Sequence, residues 1–142
     1  MATYTKYETF VENFANKLID WFGATDTWKA IIHTDAPVVA TDNALSDLTE
    51  IGGSNGYTTG GSDITFNSTR TGGTVTATAT DVVWTASGGN LGASTTGRYF
   101  TIYDDTSTGN NVMCSYDYGA TFTVATGETM TLDFGASLAT LA

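Results

Sequence analysis

From Asp63 onward the chain is written in short runs of alternating residues broken by turns, and no other feature narrows its fold as far. The candidate strands are 64–66, 74–80 (TVTATAT), 82–84, 98–103 (RYFTIY), 112–116, 121–124, 129–134 and 138–141. Most carry Thr on one parity and an apolar residue on the other. Successive side chains of a strand point to opposite faces, so hydroxyls fall on the water side and apolar residues on the core side. The separators are turn chemistry: Thr71-Gly72-Gly73, Ser87-Gly88-Gly89-Asn90, residues 104–111 (DDTSTGNN) and Ala125-Thr126-Gly127. Many short strands at this spacing predict a mainly β fold, an antiparallel β-sandwich or jelly-roll-like domain. An earlier run, 28–34 (WKAIIHT), adds a strand ended by Asp35-Ala36-Pro37.

The N-terminus follows another period. Tyr7, Phe10, Val11, Phe14, Leu18, Trp21 and Phe22 recur at helical spacing, predicting an amphipathic helix over 5–22. Thr5 and Glu8 have the T-x-x-E spacing of a capping box, and Gly23 is placed to end the helix. Two uses of the apolar stripe are open. It packs on its own domain, or Tyr7, Phe10, Val11, Phe14 and Leu18 contact a partner or a second copy. Residues 41–51 (TDNALSDLTEI) read as one short capped helix or a helical turn with Ala44, Leu45 and Leu48 on a face, and 52–61 as a flexible Gly-rich loop. The expected organisation is a helical segment, 1–24, on a β domain, 25–142. A length of 142 residues suits one globular unit.

The chemistry on offer is sparse. There are one His, one Cys and five Lys plus Arg, against sixteen Gly and a Thr at roughly every fifth position. The net charge of −10 comes from few cations rather than many anions. Such a surface repels phosphate backbones and anionic lipid, so neither nucleic acid nor membrane is an expected partner. Lys6, Lys17 and Lys29 sit in or near the N-terminal segment, leaving the β region the more acidic part. His33 has no second His to share a metal, and Cys114 lies in an apolar run as a buried thiol. The turn of residues 104–110 offers oxygens to Ca²⁺ but lacks the spacing of a calcium loop, which favours a hairpin. The Gly-rich loop has no Lys for a phosphate. Asp81, Asp117 and Asp133 are available carboxylates without a pattern, and Tyr57, Tyr99, Tyr116 and Tyr118 are candidate sugar-stacking rings. Asn67-Ser68-Thr69 matches a glycosylation acceptor, relevant only to a secreted chain, and no signal peptide is visible. No catalytic residue, metal or cofactor is expected.

Three stretches together resemble small structural proteins of tailed bacteriophages. They are NALSDLTEIGGSNGYTTGG (43–61), DVVWTASGG (81–89) followed by RYFTIYDDT (98–106), and the ending from Gly127, with its G-x-T-M-T-L strand and apolar tail. The likeness spans about residues 40–142 and omits the N-terminal helix. It implies a β-sandwich virion protein with no enzymatic activity, made in the host cytoplasm. The leading expectation is a head decoration (cement) subunit on the capsid surface, partnered by the major capsid protein and by its own copies as a trimer or dimer. A fibre or tail-tip module contacting the host is the alternative. A carbohydrate-binding module is the reading from another class.

Overall fold

Both faces of the strand Trp28–His33 are buried, which makes it the centre of the molecule. The computed structural model describes residues 3–22 and 25–141, and the chain is mainly β. In chain order the strands are β1 (Thr3–Lys6), β2 (Trp28–His33), β3 (Ser62–Ile64), β4 (Phe66–Thr71), β5 (Thr74–Ala79), β6 (Val82–Thr85), β7 (Gly97–Asp104), β8 (Val112–Phe122), β9 (Thr129–Leu132) and β10 (Ala139–Leu141). Every pairing among them is antiparallel. The main sheet runs β1-β8-β7-β2-β3, and two smaller sheets, β10-β5-β4 and β6-β9, complete a sandwich-like arrangement.

The core follows from strand parity. Trp28, Ala30 and Ile32 of β2 join Phe100 and Ile102 of β7 in the larger cluster, with Ala77, Val82, Trp84 and Leu132 from the small sheets. Ile31 points the other way, into a second cluster with Tyr7, Leu48, Tyr103 and Val112. A strand buried on both faces loses its alternation, hence the continuous apolar run in β2. The outer sheet keeps it. Thr74, Thr76 and Thr78 of β5 stand opposite Thr71, Thr69 and Asn67 of β4, while the intervening Ala77 is fully buried. β4 and β5 are joined by Gly72-Gly73, a two-residue hairpin loop with Gly72 at φ 61°.

The N-terminus departs from expectation. Thr5 lies in β1 and pairs with Ser115, so the predicted capping box does not form. The helix, α1, is only Glu8–Ala15, and its N-cap position is Tyr7 with no side-chain cap. Tertiary contacts override the periodicity: β1 completes the sheet edge on β8, and Tyr7 enters the second cluster. The helix ends where Lys17 turns left-handed at φ 57°, its Leu18 N–H returning to the Asn13 carbonyl. The chain then folds back, burying Ile19 and Trp21 against Phe10 and Phe66. Gly23, the expected terminator, lies outside the described residues. Residues 3–22 thus contribute an edge strand and core side chains.

Of the two alternatives for 41–51 the structure has the turn, a single 3₁₀ turn at Leu45–Asp47, with the Asp47 carboxylate accepting the N–H groups of Asn43 and Ala44 at 2.9 and 3.0 Å. The predicted strands 112–116 and 121–124 are joined by β8, which runs on to Phe122 through Gly119 at φ 94°.

Candidate functional site

The five N-terminal residues expected to face a partner divide into two groups. Tyr7 and Phe10 are internal: Tyr7 is fully buried, and Phe10 packs edge-on against Trp21 at 5.7 Å. Burial of the Tyr7 phenol pushes its pKa up to about 12. Val11, Phe14 and Leu18 are exposed at 50, 37 and 58%. Trp21 organises this region. Phe14 meets it edge-on at 6.3 Å, and Phe22, itself exposed, stacks on it at 5.0 Å. Phe14 and Phe22 are thus exposed rings held by buried Phe10 and Trp21, and Val11 and Leu18 are exposed on the same N-terminal segment. The place of Phe22 in the helical stripe was the signal for it.

A second constellation was invisible in sequence. Asp35 Oδ1 lies 3.4 Å from His33 Nδ1, and His33 Nε2 lies 2.9 Å from Thr101 Oγ1. Carboxylate, imidazole and hydroxyl stand in the order used to activate a nucleophile. The hydroxyl is 68 positions from the imidazole, so only the β2–β7 pairing brings them together. Yet His33 and Thr101 are fully buried. Tyr7 Oη sits 3.2 Å from Thr101 Oγ1, and Tyr99 stacks on the imidazole at 5.4 Å. A reacting atom would need the space these rings fill. The chain of hydrogen bonds ties the start of α1 to β7 and β2. Burial lowers the His33 pKa, against the opposing pull of Asp35.

The acidic turn is a hairpin held by its own side chains. Asp104 Oδ1 accepts the N–H groups of Thr106 and Ser107, and Ser107 Oγ donates to the Asp104 carbonyl. Among the described residues, no group of three or more His, Cys, Asp or Glu could hold a metal ion. Cys114 is buried, and burial pushes its thiol far up. Nor is the Gly-rich loop free. Glu50 Oε1 accepts the Gly60 N–H at 2.8 Å, and Gly61, at φ +77°, lies so close to β2 that an added Cβ would stand 2.0 Å from the Ala30 carbonyl oxygen.

The remaining candidates are dispersed. Asp81 Oδ1 accepts the Phe134 N–H and Asp133 Oδ1 the Gly135 N–H, so both hold one turn; Asp117 makes a two-pronged ion pair with Arg98, each arm 3.0 Å. That pairing holds the Asp117 carboxyl below the usual range. Of the four tyrosines, Tyr57 is buried, donating to Glu50 at 2.7 Å and accepting from the Ile32 N–H. Tyr99 is buried between His33 and the Arg98 guanidinium. Tyr116 and Tyr118 alone line an open groove of about 720 Å³, which they share with residues of β9 and the turn after it. Comparisons with protein-family models, curated proteins and solved structures find no match.

Proposed function

We propose that the chain is a structural protein of a tailed-bacteriophage virion, a decoration (cement) subunit docking on the major capsid protein through its N-terminal segment. One observation carries the docking element: Val11, Phe14, Leu18 and Phe22 are exposed together on a segment whose neighbours Tyr7, Phe10 and Trp21 are locked inside. Other large exposed apolar residues, such as Val38, Val83 and Leu141, sit on separate elements. Burying such side chains on assembly contributes roughly 1.5–3 kcal/mol each, and a pre-anchored face loses little freedom on binding. The resemblance of residues 43–61, 81–106 and 127–142 to phage virion proteins supports the location. The acidic Thr-rich β body suits an outward, solvated surface, and repetition on a symmetric shell favours a trimer or dimer.

The test is co-sedimentation with purified heads of the phage that encodes the chain. Wild-type protein is expected to bind in copy number comparable with the major capsid protein. A Phe14→Ser/Leu18→Ser double variant with unchanged near-UV circular dichroism is expected to stay in the supernatant. Equal binding by that variant removes the docking face from the proposal. A few copies per particle would overturn the decoration role in favour of a fibre.

A further inference from the structure

The groove between β8 and β9 combines aromatic rings with side-chain oxygens. Buried Phe100 forms its floor, with half-buried Tyr116 beside it, and Tyr118, half exposed, stands at its edge. Phe134 also lines it, in edge contact with Tyr116 at 6.1 Å, and Thr131 and Asp133 supply polar groups. Tyr4 of β1 extends the aromatic surface, its ring 5.4 Å from that of Tyr116. Among the described residues no hydrogen bond engages the hydroxyls of Tyr4, Tyr116 or Tyr118, and none engages Asp133 Oδ2. The Asp133 carboxylate is nonetheless fixed, because its Oδ1 accepts the Gly135 N–H at 2.7 Å.

We propose that this groove binds a neutral saccharide. A sugar ring presents an apolar C–H face and a fringe of hydroxyls that both donate and accept. The first matches the tyrosine rings; the second matches phenol hydroxyls, the Thr131 hydroxyl and the free carboxylate oxygen. An apolar peptide side chain would cover the rings and strand those oxygens. An anionic ligand finds no Lys or Arg in the lining and meets Asp133 on a chain of net charge −10. The volume lies within the roughly 300–1,000 Å³ of small-ligand sites. Rings on rigid β8 and a carboxylate pinned by its own turn make the site pre-organised. This inference rests on the groove alone and is independent of the capsid reading.

The experiment is an array of neutral gluco-, galacto-, manno- and N-acetylglucosamine oligosaccharides probed with the full chain. Sialylated and sulfated oligosaccharides serve as anionic controls, and hits are quantified by titration calorimetry. At least one neutral series is expected to bind. Tyr118→Ala should weaken it by about tenfold or more, and Tyr118→Phe should keep most of it. Asp133→Asn should weaken it less than Tyr118→Ala does, with an unchanged unfolding midpoint. No neutral binder, binding indifferent to Tyr118→Ala, or preference for the anionic glycans would overturn the proposal. Head co-sedimentation of Tyr118→Ala is expected to match wild type, so failure here and failure of the docking face are read separately.

Discussion

Trp28 and Asp104 are direct cross-strand partners between β2 and β7, and each buries a polar atom with no hydrogen-bond partner: the Trp28 indole Nε1 and the Asp104 Oδ2. Burial of Asp104, reinforced by the nearby Asp26 carboxylate, raises its pKa from 3.8 to about 6, although the N–H groups of Thr106 and Ser107 pull the other way. A proton on this carboxyl gives Oδ2 a hydrogen to share with Asp26.

The first prediction is therefore a pH dependence. Between about pH 4 and 6 the folded protein holds a proton on Asp104 that the unfolded chain has released. The stability this confers is fully present below pH 4 and is lost as pH rises through about 6, an effect of up to about 3 kcal/mol. Asp104→Asn keeps an acceptor for the turn and supplies a permanent donor towards Asp26. It should flatten this dependence and raise the unfolding midpoint at pH 8. Urea titrations from pH 4 to 8 measure it; an unchanged slope for the variant rules the assignment out. His33 has the opposite sign. Its lowered value means that stability is lost as pH falls below about 6.5, so between about pH 4 and 6 the two groups pull in opposite directions and partly offset each other.

A second prediction concerns the Tyr7–Thr101–His33 chain. Thr101→Val leaves both the Tyr7 hydroxyl and His33 Nε2 buried without a partner, and should cost about 2–4 kcal/mol. Tyr7→Phe removes one member and leaves the Thr101–His33 bond, costing about 1 kcal/mol. In the double variant the losses should fall short of additive, because both delete the same bond. Chemical denaturation of the four proteins provides the cycle. Strict additivity would mean that the network does not tie the N-terminal segment to β7.

These two relationships also mark where sequence reasoning stops. Period-two runs located β5, β6, β7, β9 and β10 closely; in β6 and β9 the alternation also records the environment, whereas β7 is buried on both faces, its Thr101 included. The same logic placed Cys114 inside the protein. It failed at 5–22, where aromatic residues at helical spacing belong to three different structures: a sheet edge, eight residues of helix and a returning segment. Tyr7 and Val11 are both apolar positions of one helical face, and only the neighbouring sheet decides that the first is buried and the second is not. Tyr116 and Tyr118 were legible as surface rings. Tyr57 and Tyr99 were not separable from them, since their burial depends on Ile32 and His33 of β2, which only the folded sheet brings against them.

The third prediction contrasts two glycines with positive φ. Gly61→Ala places a methyl 2.0 Å from the Ala30 carbonyl oxygen in addition to its backbone strain, so β2 or the loop must move. A cost of about 3 kcal/mol or more is expected. Gly72→Ala, at the exposed hairpin tip with nothing within 4 Å, carries only the left-handed penalty of about 1 kcal/mol. Thermal unfolding of the two variants separates them. Equal losses would show that the 52–61 loop is free of β2 after all.

The last prediction divides the N-terminal segment along the line between Phe10 and Phe14. Phe10 is 6% exposed and bridges Trp21 to the larger core, so Phe10→Ser should cost about 3–5 kcal/mol through lost burial and an added polar group. Leu18→Ser at an exposed position should change stability by less than about 0.5 kcal/mol. Phe14→Ser falls between, since its ring still touches Phe10 and Trp21 at 6.2 and 6.3 Å. Equilibrium unfolding gives the stabilities, and binding of an apolar fluorescent dye reports the exposed face, which should dim with Leu18→Ser and Phe14→Ser. A Leu18→Ser protein as damaged as Phe10→Ser would mean that the whole stripe is internal core. The docking face would then have to be sought elsewhere on the molecule.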